Sequence, residues 1–327
     1  MNADHFTRAR QDDWQALTRL LEQSSNGVAR LSPAEVQRLG NLYRAATSDL
    51  ALAQREFPQA RVTAYLNQLV GRGHAVIYRS EPVAWRQIKA FVRTGFPCLF
   101  RDALPFIVVA TLLFTLPALL AGVAMVLDPG RAAWLLPADA QSLVAQIERG
   151  ELWTDIPVDE RPYASSFIMT NNLQVSFLAF AGGVTGGLLT VYVLLFNGLL
   201  LGGITGLTAH YGIGFGLWTF VIGHGVLELS AIFITGGAGL MMGWAMLNPG
   251  LLRRRDALML AARKAVLLVL GCIPILVTAG VIEGFLSPNA AVPWPVKWTV
   301  GVLSGLLFYG YLWLAARRAD ATEASSL

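Results

Sequence analysis

The chain has 327 residues, of which 54% are hydrophobic and 14% charged, with a mean hydropathy of +0.51 and a formal net charge of +4. That composition excludes an ordinary soluble domain and marks a polytopic membrane protein. The charges cluster before Leu104, between Asp128 and Arg161, at 253–264 and at 317–318, so the positive excess reads as membrane topology. No basic run is interleaved with aromatics, and no nucleic-acid partner is expected.

The opening MNADHFTRARQDDWQ has no apolar core, so no signal peptide is expected. Residues 1–80 read as a small cytoplasmic helical domain. Trp14, Leu17, Leu20 and Leu21 recur at helical spacing over Asp12–Gln23. Ser32-Pro33-Ala34-Glu35 opens a second helix with a Ser N-cap, Pro at N1 and Glu at N3, a capping box. That helix runs to about Phe57, before Pro58, and a third covers 59–71 and ends at Gly71 or Gly73.

Residues 81–103 read as an interfacial amphipathic helix. Its apolar positions alternate with Arg86, Lys89, Arg93 and Arg101, preceded by Arg79, which is the pattern of a segment lying among lipid headgroups. Pro97 is expected to bend it and Pro105 to turn the chain into the membrane. The transmembrane domain occupies 104–318. Spans are predicted at 104–127, 165–182, 187–208, 215–247, 265–286 and 296–316, each long enough for a hydrocarbon core of about 30 Å. Pro117 is expected to kink the first span.

The loop 128–164 lies outside. From Asp128 to Thr170 the chain carries seven acids and three arginines, whereas the segment before the first span is basic. Phe167–Leu207 is apolar for about 40 residues. Two crossings, broken at Ala181–Gly187, return Arg253–Arg255 and Arg317–Arg318 to the inside. The topology is then six spans in a bacterial inner membrane, multi-pass, with both termini cytoplasmic and 319–327 a flexible tail. Cys98 and Cys272 make no CxxC, and no disulfide framework or cysteine zinc site is expected.

The stretch from Phe215 to Leu247 is too long for one straight crossing. Gly223-His224-Gly225 is expected to break it into a short leading piece and a full helix, since broken helices at membrane depth line sites. Gly236, Gly237, Gly239 and Gly243 give the remainder a smooth face for close packing, within the chain or across a homo-oligomer. The fold class is therefore all-α, a polytopic transmembrane helical bundle of about six spans, one broken at a Gly-His-Gly, with a small cytoplasmic helical domain.

Four motifs stand on successive apolar segments: Asn171-Asn172, Asn197-Gly198 before Gly202, His224-Gly225 followed by Glu228, and Glu283-Gly284-Phe285 followed by Pro288. Together, with Arg72-Gly73-His74 ahead of the membrane, they resemble the stage II sporulation protein M family over roughly residues 70–290. The resemblance implies an integral membrane protein of unassigned biochemistry, in a family whose namesake holds peptidoglycan-degrading partners at the membrane. The additional amino-terminal domain departs from the namesake and puts those partners in doubt.

The intramembrane polar set is Asn171, Asn172, Asn197, His224, Glu228 and Glu283, with Tyr192, Ser230 and Thr235 as supporting groups. His224 and Glu228 are four apart and share a helix face. In this topology the set converges in the outer half of the membrane. Three roles follow. The first is a structural network in a scaffold or assembly protein of the cell envelope, with protein partners and the lipid bilayer as its contacts. The second is an ion- or proton-coupled transporter or channel. The third is an intramembrane metal-dependent hydrolase with His224, Glu228 and Glu283 as ligands. The first is preferred, with no enzymatic activity, no cofactor and no metal. Lys297 is expected to snorkel outward.

Overall fold

A computed structural model describes residues 3–24, 31–77, 85–154 and 161–324. It is 88% helical, with no strand among the described residues. The chain divides into two compact units, Met1–Gln87 and Ile88–Leu327.

The first unit holds α1 (Ala3–Gln23), α2 (Pro33–Glu56) and α3 (Arg61–Ile77). Its core joins Trp14, Leu17, Leu20 and Leu21 of α1 to Leu39, Ala46 and Leu50 of α2 and Leu66 and Leu69 of α3. Inside it, the Trp14 indole N–H donates to the buried Asp49 carboxylate at 2.9 Å. The capping box forms: the Glu35 carboxylate accepts from the Ser32 backbone N–H at 2.8 Å and from its hydroxyl at 2.7 Å, while Ser32 Oγ accepts from the Glu35 N–H. Those two donors, the hydroxyl first, hold the Glu35 carboxyl below its ordinary pKa. α3 does not end at Gly71 or Gly73. A Cβ on Gly73 would lie 2.6 Å from the Tyr43 ring, so this glycine lets α2 and α3 pack closely rather than stopping a helix.

In the second unit the predicted interfacial helix is not a separate element. α4 (Trp85–Ala90), a π-helical turn at Phe91–Gly95 and α5 (Phe96–Leu127) form one 43-residue helix. Pro97 lacks the N–H that would reach back one turn, and the wider π turn lies over that gap. Pro105 and Pro117 sit inside α5, so Pro105 does not turn the chain into the membrane. Arg86, Lys89 and Arg93 are exposed. Arg79 and residues 81–84 lie outside the described residues.

After α5 the chain forms a short 3-10 turn, α6 (Ala132–Leu135), a second 3-10 turn and α7 (Gln141–Glu148). Val144 and Ile147 bury against Met125 and, on the helix reached later, Leu207, which holds this loop against the bundle end. Then come α8 (Arg161–Ala181), α9 (Leu188–His210), α10 (Gly214–Leu247), α11 (Arg254–Phe285) and α12 (Trp294–Ala324). α11 begins well before the predicted 265, and α12 continues through most of the expected tail.

Among the described residues, five helices are long and apolar enough to cross a membrane: Trp85–Leu127, α9, α10, α11 and α12. α8, expected as the second span, is a 21-residue helix that falls outside that set. Ser165, Ser166, Thr170, Asn171, Asn172, Gln174 and Ser176 dilute its apolar character. It still packs on α9, α10 and α11 within the bundle. The expected break appears between α8 and α9. Gly182–Thr185 forms a 3-10 turn, followed by Gly186 and Gly187 with φ of 70° and 87°, which only glycine adopts cheaply. The Thr190 hydroxyl donates to the Ala179 carbonyl at 2.7 Å and staples the turn.

α10 is the axis of the bundle. It touches α5, α8, α9, α11 and α12, and 61% of its most apolar window is buried, against 22–33% in the other four spans. It is not broken at Gly223-His224-Gly225 but runs as one 34-residue helix. Glycine in a helix interior costs roughly 1 kcal/mol relative to alanine. Opening the backbone ladder in lipid costs several kcal/mol for each freed group, so continuity wins. The glycine face packs within the chain: a Cβ on Gly239 would lie 2.2 Å from the Ala179 carbonyl oxygen. A second seam joins α9 to α5, where Gly198, Gly202 and Gly206 lie against the backbone of Phe114, Ala118 and Gly122.

Candidate functional site

The site is assembled around one face of α10. His224 and Glu228 project from it one turn apart, both buried, with His224 Nε2 3.9 Å from Glu228 Oε2. The same carboxylate oxygen accepts from the Asn172 side-chain N–H of α8 at 2.6 Å. His224 Nδ1 is 2.8 Å from the Ser287 hydroxyl, just beyond α11, and its ring meets Phe220 edge-on at 5.6 Å. Lys297 of α12 is 8% exposed and donates to the Ser287 carbonyl at 2.6 Å. Lys297 therefore turns inward rather than snorkelling outward.

Glu283 of α11 completes the group. Its side chain is 0% exposed, and neither carboxyl oxygen has a hydrogen-bond partner. Glu228 is close enough to act on it electrostatically. Gly223 faces this end of α11, where a Cβ would meet Ile282, Leu286 and Ser287 at ordinary contact distances. One turn of α10 towards its start, Trp298 donates to the Thr219 hydroxyl at 3.2 Å. A cleft of about 240 Å³ lined by Thr154, Phe215, Thr219, Ser287 and Lys297 lies beside Ser287, the partner of His224.

Four of the six expected polar residues thus converge: Asn172, His224, Glu228 and Glu283. Asn171 and Asn197 do not join them. Asn171 is exposed on α8, and Asn197 bonds back to the Val193 carbonyl of its own helix at 2.8 Å. Of the supporting groups, Ser230 lies 2.8 Å from the Tyr309 hydroxyl, Thr235 bonds to the Ile232 carbonyl, and Tyr192 stacks on Phe196. Gly225 and Gly236 serve packing, Gly236 against Leu194 and Ala110. Among the described residues no three His, Cys, Asp or Glu side chains form a metal-ligand set.

Sequence reasoning missed Ser287 and misplaced Lys297. A signal for the lysine exists: it is the only charged residue between Glu283 and Arg317. An isolated charge in so apolar a stretch pairs inward, with another charge or with backbone carbonyls.

Chemically, this is a buried cluster of two carboxyls, one imidazole and one ammonium, in an apolar bundle. Two carboxylates close together in low dielectric cannot both stay charged without a proton or cation between them.

The chain belongs to the stage II sporulation protein M family, whose profile matches residues 110–288, more than half of its length. A separate profile, a domain of unknown function (DUF8413), matches residues 4–79. The chain is 41% identical over 73 residues to the uncharacterized protein MJ0793 of Methanocaldococcus jannaschii. That match covers 22% of this chain and 41% of the relative, so the chain spans less than half of the relative's length. No solved structure matches.

Proposed function

We propose that this multi-pass protein handles a small cation or proton at the Glu228–Glu283 cluster, as an ion- or proton-coupled transporter or channel. The observation that carries the reading is Glu283, fully buried with both oxygens unpartnered. A structural network satisfies its polar groups, whereas an orphaned buried carboxyl marks a place kept for something that comes and goes. The loop-end cleft is lined by Ser287 and Lys297, and the Ser287 hydroxyl contacts His224, which supports an approach to the group from that end. The protein acts without enzymatic chemistry. Its setting is the inner membrane with both termini cytoplasmic, a reading supported by the arginine clusters at 253–255 and 317–318 and the acidic stretch at 128–160 falling in alternate connections of the sequence.

The test uses purified protein in vesicles loaded with a pH-sensitive dye. Under an imposed proton, sodium or potassium gradient, the protein collapses at least one gradient faster than empty vesicles do. Glu283→Gln and Glu228→Gln fold normally and lose the effect. A wild-type protein that leaves every gradient at the protein-free rate overturns the proposal.

A second reading has its own support. The amino-terminal unit has a self-contained core and its own profile match, as expected of a docking module on a membrane scaffold for envelope-assembly partners. Deleting residues 1–77 then abolishes capture of partner proteins from membranes while leaving ion movement intact. Unchanged capture refutes the scaffold.

A further inference from the structure

The two ring nitrogens of the buried His224 meet different neighbours. Nδ1 lies 2.8 Å from the Ser287 hydroxyl, a hydrogen bond. Nε2 faces the Glu228 carboxylate, with Oε2 3.9 Å away. Ser287 in turn lines the loop-end cleft, beside Thr219 and Lys297. The groups therefore stand in a fixed order: cleft, hydroxyl, imidazole, carboxyl. Glu283, fully buried with both oxygens unpartnered, follows last, close enough for Glu228 to act on it electrostatically. The remaining neighbours leave that order open. Lys297 of α12 donates to the Ser287 carbonyl, so that residue's hydroxyl is left to His224. Asn172 of α8 is neutral and holds Glu228 by its amide.

Chemistry narrows what can travel along such a line. A metal cation leaving water needs a shell of several oxygens in place of its hydration. Between the cleft and Glu228 the line offers one hydroxyl oxygen and an imidazole ring, and Glu228 Oε2 already accepts from Asn172. A proton needs only one acceptor at a time, because it moves by exchanging bonds. A hydroxyl both donates and accepts, and an imidazole accepts on one nitrogen while it releases from the other near neutral pH.

We infer that His224 is a proton relay that joins the loop-end cleft, through the Ser287 hydroxyl, to Glu228, and that the charge this cluster handles is the proton. The inference rests on the proposed handling of a cation or proton at Glu228 and Glu283, and it names the species and its way in. Loading starts from the tautomer with its hydrogen on Nε2. A hydronium in the cleft gives a proton to Ser287 Oγ while the hydroxyl's own hydrogen passes to Nδ1. The Nε2–H bond breaks as that proton bonds to a Glu228 carboxylate oxygen. Water is left in the cleft, the carboxyl is neutral, and the imidazole is again neutral with its hydrogen on Nδ1. The reverse sequence empties the site. The Nε2–Oε2 separation of 3.9 Å exceeds hydrogen-bond length. Side-chain motion of about 1 Å closes it, so the last transfer waits on that motion.

The test uses the full chain in vesicles, with dye-reported gradients and with a pH jump followed by the infrared carboxyl band that Glu228→Gln removes. The expected result is that the wild type collapses a proton gradient and leaves sodium and potassium gradients at the protein-free rate. His224→Gln keeps a hydrogen bond to Ser287 but has no proton to release, so proton movement slows by roughly a hundredfold. In that variant the carboxyl band reaches its wild-type amplitude after the jump but lags by the same factor, which a merely structural histidine would not produce. Ser287→Ala leaves the imidazole in place and also slows both rates, and it carries the test if His224→Gln does not fold. A wild-type rate in either folded variant overturns the relay. Sodium or potassium movement that His224→Gln leaves untouched also overturns it, while the broader cation reading stands. A wild type that moves no gradient overturns that reading and the relay with it.

Discussion

Replacing Glu283 with Met should make the protein more stable, and the reasoning can be checked quantitatively. Glu283 is 0% exposed and both of its carboxyl oxygens lack a partner, so folding strips the group of water and returns nothing. A buried polar group left unsatisfied costs about 1–3 kcal/mol, and a shape-matched apolar side chain removes that cost. Met has a similar length and adapts to irregular space, so the packing penalty stays small. The expected gain is therefore about 1–3 kcal/mol. Glu283→Gln gives no such gain, because its amide is as orphaned as the acid. The assay is reversible unfolding in mixed micelles with rising SDS, followed by tryptophan fluorescence, on wild type and both variants. A Met variant that loses stability refutes the argument, since only a carboxyl with a real partner would be missed. Stabilisation together with loss of ion movement identifies Glu283 as a residue kept for use at a thermodynamic cost.

Other outcomes follow from the same geometry. Asn172→Leu leaves the buried Glu228 oxygen without its donor and lowers stability in the same assay by ~1–3 kcal/mol. Gly202→Ala places a Cβ 2.0 Å from the Ala118 carbonyl oxygen and pushes α9 off α5. It costs ~1–3 kcal/mol and accelerates cleavage of the folded protein by protease. Glu35 has a carboxyl pKa lowered by its Ser32 hydrogen bonds, so its capping contribution is complete above the unfolded pKa and fades as pH falls through the folded one. The protection of amides at the start of α2, corrected for the intrinsic exchange rate, therefore falls in acid, and Ser32→Ala reduces that loss.

Much of this architecture was legible because it rests on local chemistry. The capping box needs only Ser32 and Glu35 at the right spacing, and the α8–α9 reversal needs only residues tolerant of positive φ. The polar cluster was half legible. His224 and Glu228 share a face by periodicity, but adjacent Asn171 and Asn172 point about 100° apart on a helix. Only one of them can reach Glu228, and nothing local says which. Lys297 was misread because snorkelling and burial against a loop carbonyl look alike until the neighbouring helices are placed. The expected break at Gly223-His224-Gly225 failed for a different reason. Glycine weakens a helix in water, where the chain has alternatives, but lipid removes those alternatives. The Gly198, Gly202 and Gly206 ladder was readable as a small-residue repeat, and its partner on α5 was not.

The low apolar content of α8 also bears on how the chain is made. A segment carrying Asn171, Asn172 and Gln174 gains little by leaving the insertion machinery for lipid alone. α9, by contrast, is apolar enough to cross a membrane and is joined to it by the tight turn through Gly186 and Gly187. During synthesis α8 must therefore wait in a sheltered place until α9 has emerged, and the two enter the bilayer together as a hairpin. The Asn172–Glu228 bond cannot form until α10 follows them. Assembly thus has a set order, and the least lipid-soluble helix is committed to the membrane by the helix made after it.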